Sequence, residues 1–240
     1  MPDRPIGGFG PNWPVFVHLA AEARDAAVQV EEADSRAWPM RDALSAILFS
    51  ALATEAFINE LPEAAFRDAY ALRSLQLPAV PILNELATTL GVMVAAREKI
   101  QLKYQAARRI LTGRAFDRGA APYQDFDRLI ALRNDLVHPR HQDRTTALGH
   151  TEPASPVVRD LQRRGLTRTR GRRPGDPAGG MSWLGEIYCG RTAAWAHKAA
   201  CDVIAELIRA LPQHDRLWSM TSFRAWLSSP AAQTQASPRC

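Results

Sequence analysis

Residues 41–61 contain neither glycine nor proline and are dominated by alanine and leucine. Strong helix formers run there without a breaker, at a spacing that gathers the leucines on one face, so the segment is expected to be the strongest helix of the chain. Such a helix must bury its stripe against other elements, and the rest of the sequence offers only helices to bury it against. After an irregular, Pro- and Gly-rich opening, a helix is expected over about residues 15–33. Pro62 is expected to end the strong helix and to open the next one, over 63–77. Pro78 and Pro81 bracket a turn before a short helix at 82–90, and a longer one follows at 94–111. On that helix Ile100, Tyr104, Ala107 and Leu111 share a face, and Gly113 is placed to cap its end. Further helices are expected at 123–137, 191–211 and, more briefly, 222–227. Strand-like alternation and internal repeats are missing from the sequence. The expected fold is all-α, an up-and-down helical bundle with a long arginine-rich loop before the last long helix.

The organisation read from these patterns is an N-terminal segment and first helix (1–39), a helical bundle (40–211) and a short helix with a polar tail (212–240). A flexible insert interrupts the bundle at about 139–180, where proline, glycine, threonine and arginine replace any apolar period. The net charge of +5 favours a polyanionic partner such as nucleic acid. Cys189, Cys201 and Cys240 form no CxxC pair and no even framework. With no secretory leader at the N-terminus, they point to a reducing cytoplasm. No uninterrupted apolar run approaches the roughly 18 residues needed to span a bilayer, so no membrane role is expected.

The motif that carries chemistry is Arg133-Asn134-Asp135-Leu136-Val137-His138, at the end of the 123–137 helix and just before Pro139. On a helix turning about 100° per residue, Phe126, Leu129, Ile130, Leu132, Leu136 and Val137 fall on one arc, with Arg133 in its middle. A guanidinium there needs a partner or a cleft, because burying an unpaired charge is very costly. In the 41–61 helix Glu55 similarly falls among Leu44, Leu48, Ala51, Leu52 and Ile58, with Asn59 beside it. Glu55 is therefore the expected partner of Arg133, in a structural ion pair or as a support that aims the guanidinium. Arg133 and His138 are five residues apart, about 140° on an ideal helix, so they do not share a face. A pre-proline residue is pushed out of the helical region, which frees His138 to turn back. Alternatively, two such helix ends meet across a symmetric interface.

These residue types suit RNA cleavage without a metal. A base removes the proton of a 2′-hydroxyl, the oxygen attacks the adjacent phosphorus, and an acid protonates the leaving 5′-oxygen. Histidine serves either proton transfer near neutrality. Arginine matches the charge growing on the phosphate oxygens. Asparagine orients the phosphate or sets the imidazole tautomer. As a bare string, Arg-x4-His arises readily by chance, and its weight comes from its placement. The competing reading is a helix-terminal histidine beside a structural arginine.

The Arg133, Asn134 and His138 pattern at a helix end inside a compact helical bundle resembles the HEPN superfamily (higher eukaryotes and prokaryotes nucleotide-binding). Its ribonuclease members carry an Arg-x4-6-His motif, commonly with a polar residue after the arginine. Residues 50–60, Ser-Ala-Leu-Ala-Thr-Glu-Ala-Phe-Ile-Asn-Glu, are similar to the earlier bundle helix of Abi-like and related HEPN proteins, and the helix around Trp195-Ala196-His197 to their closing helix. The resemblance spans roughly residues 40–211. It implies a homodimer whose cleft joins two motifs, and an endoribonuclease that needs no metal or other cofactor and leaves a 2′,3′-cyclic phosphate. It further implies a toxin or phage-defence effector, often accompanied by an antitoxin or another defence-system protein. In that setting Arg133, Asn134 and His138 are catalytic, with Glu55 and Asn59 in support. The alternative is a catalytically silent HEPN-like module binding RNA or a protein partner. A third reading is a helical regulatory protein with a small ligand in its bundle.

Other features carry less. Arg163, Arg164, Arg168, Arg170, Arg172 and Arg173 crowd the insert and are candidate RNA-phosphate contacts, without aromatics for base stacking nearby. The competing reading for them is a solvated loop. His138 and His141 lack a carboxylate or cysteine cluster at ligand spacing, so no metal site is expected. His197 falls on an apolar face, as a satisfied core histidine does. Trp195 falls among Lys198, Asp202, Glu206 and Arg209, where exposure would mark a subunit contact or a loop would cover it.

Overall fold

A computed structural model describes residues 11–34, 37–73, 77, 79–138, 155–168, 183–213 and 218–228. Among them the regular structure is entirely helical. The order is α1 (Trp13–Ala33), α2 (Met40–Leu72), α3 (Ala79–Ala95), α4 (Ile100–Thr112), α5 (Tyr123–Val137), α6 (Pro156–Arg163), α7 (Trp183–Ile187), α8 (Gly190–Ala210) and α9 (Trp218–Leu227). The all-α expectation holds. α2 and α8 form the centre: α2 packs on α1, α3, α4, α5, α8 and α9, and α8 on α1, α2, α4, α5 and α9. Trp13 and Val17 of α1 lie within the main core.

The helix expected to stop at Pro62 instead runs on to Leu72, and Pro62 is buried inside it. An interior proline costs a helix roughly 3 kcal/mol. Leu61, Ala64, Ala65, Asp68 and Ala69 are buried on either side of it, and packing of that extent outweighs the lost hydrogen bond. This continuity makes α2 the one described helix long and apolar enough to cross a membrane by length and composition. Half of its most apolar window is buried against its neighbours, as in the core helix of a bundle. The break expected near Gly91 also moves. α3 continues to Ala95, and the turn falls at Arg97, which takes a left-handed φ of 54°. Gly113, at φ 74°, ends α4 as expected. Within the insert, residues 156–163 form α6 rather than loop, opened by Ser155, whose hydroxyl accepts from the Val158 N–H. The last helix begins at Trp218, ahead of the expected start.

Two kinds of packing fill the interior. Where α1, α2 and α8 meet, Ala27, Ala43, Ala46 and Ala193 form a small-residue seam that lets the helices approach closely. Gly190 extends this seam. A Cβ there would stand 3.0 Å from the Val28 Cα and 2.9 Å from a Glu31 oxygen. The Glu31 carboxylate accepts the Gly190 N–H at 2.7 Å and so caps the positive end of α8 from α1. A chain of aromatic rings runs through the larger, mostly aliphatic remainder of the core. Trp13 meets Phe57, Phe223 and Trp226 edge-on at 5.4, 5.7 and 4.8 Å between centroids. Phe57 leads to Tyr104 (6.4 Å), and Tyr104 to Phe126 (4.5 Å).

Trp195 is buried rather than exposed, because α5 covers it, and its indole N–H donates to Asp125 at 3.3 Å. His197 is a core histidine. Its Nδ1 lies 2.9 Å from the buried Arg24 guanidinium, and Arg24 pairs in turn with Asp25. Cys201 lies against the same ring at 3.5 Å, with its thiol pushed up to about 12, mainly by burial. Burial, helped by the Arg24 charge and opposed by Asp25, lowers the His197 pKa from 6.5 to about 4. The unfolded chain therefore takes up a proton below pH 6.5 that the folded chain refuses until about pH 4. This contribution to stability is complete above pH 6.5 and is lost as pH falls through that window, by at most about 3 kcal/mol. Urea unfolding between pH 7.5 and 4.5 should show this slope in the parent and a shallower one in His197→Gln, which keeps an acceptor for Arg24 but does not titrate. Equal slopes would remove His197 from the acid sensitivity.

Candidate functional site

Tyr104 sets the relative position of two of the helices that carry the site. Its phenol is fully buried and donates to the Thr54 carbonyl of α2 at 3.0 Å, while its ring packs on Phe57 of α2 and Phe126 of α5. Burial holds its pKa well above the ordinary tyrosine range, so it stays a donor. The residues next in sequence, Glu55 on α2 and Lys103 on α4, are thereby brought to one edge of the bundle. Arg133 reaches the same edge from the last turn of α5.

There the Arg133 Nη2 stands 3.7 Å from the Glu55 Oε2. The Arg133 Nη1 donates to the Asn134 Oδ1 at 3.1 Å. The expectation that both charges sit deep in apolar faces is corrected: the Arg133 side chain is 31% exposed and that of Glu55 50%. For Arg133 the reason is position. Phe126, Leu129, Ile130 and Leu132 are buried, but α5 outruns its neighbours, leaving Leu136 half-buried and Val137 and His138 exposed. For Glu55 the reason is which stripe of α2 faces inward. The buried face follows Ala43, Ile47, Ser50, Ala51, Thr54, Phe57, Ile58 and Leu61, whereas Leu44, Leu48 and Leu52 form a half-buried rim beside Glu55. At such exposure the pair contributes roughly 0–1 kcal/mol, so its consequence is the aim of the guanidinium, not stability.

His138 is the C-cap of α5. Its φ of −124° and ψ of 63° lie outside the helical region, as its proline neighbour requires, and its N–H still donates to the Asn134 carbonyl at 2.9 Å. Asn134 thus touches both partners, the guanidinium through its side chain and the histidine through its backbone. It spends its amide oxygen on Arg133, not on an imidazole.

Sequence reasoning missed Lys103. The residue is buried, and its ammonium donates to Asn59 at 2.9 Å. Burial lowers its pKa, while the charges of Glu55 and Glu98 pull it back up. Glu55 thus stands in the field of two cations from two different helices. The signal was available: Lys103 interrupts the apolar face of α4 beside Ile100, Tyr104 and Ala107, just as Arg133 interrupts that of α5. Asn59 is a ligand of this lysine and so supports the site from below.

Arg164 and Arg168 of the insert are engaged by the fold. Arg164 pairs with Asp125 at 2.6 Å and Arg128 with Asp160 at 2.9 Å, which fastens α6 to α5, while Arg163 pairs with Asp160 at 3.0 Å within α6. Arg168 donates to the Ala37 carbonyl at 2.8 Å, with its guanidinium 5.3 Å over the Trp38 ring. Of these, only the Arg163 side chain is largely open to solvent, at 77%. Arg170, Arg172 and Arg173, like His141, lie outside the described residues. Among the described residues no three His, Cys, Asp or Glu side chains cluster to hold a metal.

The edge therefore carries two cations, the Glu55 carboxylate and two amides, with His138 leaving α5 five residues beyond Arg133. Two cations at such an edge can bind a phosphate. No family model, curated protein or solved structure matches the chain.

The Lys103–Asn59 contact has a measurable asymmetry. Asn59→Ala strands a buried ammonium and should cost about 1.5–3 kcal/mol in chemical denaturation. Lys103→Met replaces the charge with an apolar chain of similar volume and should stay within about 1 kcal/mol of the parent. Similar losses in both variants would show that Asn59 does not hold the lysine.

Proposed function

We propose that the chain is a metal-independent endoribonuclease of HEPN type that acts as a homodimer. The observation that carries this reading is the linkage at one exposed edge: Glu55 aims Arg133, Asn134 bonds to it, and His138 leaves the helix immediately after. Arg133 binds the scissile phosphate and offsets the charge that grows on its non-bridging oxygens. His138 takes the proton of the 2′-hydroxyl or gives one to the leaving 5′-oxygen, and a second copy supplies the complementary group. Lys103 adds positive charge beneath the phosphate. The exposed Val137 and the half-buried Leu136, Leu48 and Leu52 border this edge, which suits closure by a second copy of the same surface. Arg163, with the net charge of +5, favours approach of the RNA backbone.

The reading extends to a cytoplasmic toxin or phage-defence effector restrained by an antitoxin or another defence protein. A second reading, a catalytically silent module that binds RNA or a protein, draws on the same geometry, because in the single chain Glu55 and Asn134 already occupy the guanidinium.

Purified protein should cleave RNA in the presence of EDTA and leave 2′,3′-cyclic phosphate ends. His138→Ala and Arg133→Ala should each lower the rate by roughly 10²–10⁴-fold. Expression of the parent should arrest growth, and expression of His138→Ala should not. Variants that cut as fast as the parent would overturn the mechanism. Variants that keep both RNA binding and growth arrest would favour the silent module.

A further inference from the structure

Beyond Pro62, the outward face of α2 carries a feature that neither the core nor the catalytic edge uses. Phe66 and Tyr70 are 59% and 57% exposed. Their rings stack 6.4 Å apart between centroids, with planes 29° from parallel. The Arg73 guanidinium lies 4.0 Å over the Tyr70 ring. Three flat groups thus stand in a row, one per helical turn.

This row continues the face that bears Glu55 and Asn59. At about 100° per residue, Asn59, Phe66, Tyr70 and Arg73 fall within roughly 60° of Glu55 around the helix axis. Burial agrees. Glu55, Glu63, Phe66, Tyr70 and Arg73 are exposed, while Leu61 and Leu72, roughly 100–120° round the axis from Glu55, are buried. With a rise of about 1.5 Å per residue, Phe66 lies roughly 16 Å along α2 from Glu55. That is a reach of no more than about five stacked nucleotides at roughly 3.4 Å each.

We propose that Phe66, Tyr70 and Arg73 form a stacking subsite for the unpaired bases of single-stranded RNA, holding the strand whose phosphate lies at Arg133. The subsite rests on the nuclease reading above for its substrate, but its chemistry is its own. Parallel aromatic faces bind any base through its π-surface, and a guanidinium stacked at the end adds charge opposite to the phosphate. A protein partner fits less well, because the face offers two rings flanked by the charged Glu63, Arg67 and Arg73.

The test measures binding apart from cleavage. In a His138→Ala background, a fluorescent ten-nucleotide oligouridylate should bind roughly five- to a hundredfold more weakly for each ring removed by Phe66→Ala or Tyr70→Ala. Phe66→Trp should bind as tightly as the parent, and Phe66→Leu, apolar but without a π-face, should not. A duplex RNA of equal length should be unaffected by all four substitutions. With His138 intact, the ring variants should cleave a dinucleotide as fast as the parent, because it is too short to reach the rings. Equal weakening for duplex and single strand, or full affinity in Phe66→Leu, would overturn the stacking subsite. So would unchanged oligouridylate binding, including the case where sedimentation shows a lost self-association instead. If the parent cuts no RNA yet binds oligouridylate through the rings, the nuclease reading falls and the subsite stands. If it cuts while the ring variants bind like the parent, the subsite falls and the nuclease reading stands.

Discussion

The buried hydroxyl of Tyr104 is the contact on which the arrangement of this protein turns. A phenol with no exposure must find an acceptor, and the one it finds is the Thr54 carbonyl, on a different helix. Because the ring also packs on Phe57 and Phe126, one side chain locks α2, α4 and α5 together. The neighbours of these locked residues then have no freedom in where they emerge. Glu55 follows Thr54, Lys103 precedes Tyr104, and Arg133 lies two turns beyond Phe126. The polar edge is thus a consequence of an aromatic core built a few ångströms beneath it.

The charge balance at that edge follows from the same geometry. One carboxylate faces a half-exposed guanidinium and lies in the field of a buried ammonium. Glu98 adds its field at the ammonium, so two carboxylates stand against the two cations. The His138 backbone completes the set by leaving the helix where the chain can no longer continue it. At α6, Arg164 is held by Asp125 and Arg128 of α5 by Asp160, so two charges of this region become a fastening between helices.

The helical character, the positions of α1, α4, α5 and α8, and the interruption of apolar faces by Arg133 and Glu55 were legible in the residues, because a period of about 3.6 needs no partner to be seen. The depth of those charges was not. Ranking residues by hydrophobicity selected Leu44, Leu48 and Leu52 as the inward stripe of α2, but the helices meet along alanines, since small side chains permit the closest approach. Pro62 misled for a related reason. Its local cost is real, but the decision belongs to the packing on both sides of it. Trp195 looked exposed beside charged neighbours until α5 covered it. Lys103 was legible by the rule that found Arg133.

What the sequence determined by itself is what short-range chemistry controls: which stretches are helical, that His138 must leave its helix before a proline, and that Arg133 interrupts the apolar stripe of α5. What only the tertiary structure decided is which partners meet. The pairing of Glu55 with Arg133 and the capture of Lys103 by Asn59 depend on how helices separated by tens of residues cross and slide. Those degrees of freedom are set by the summed packing of many weak contacts and by a few buried polar groups that must be satisfied, and no local pattern encodes either.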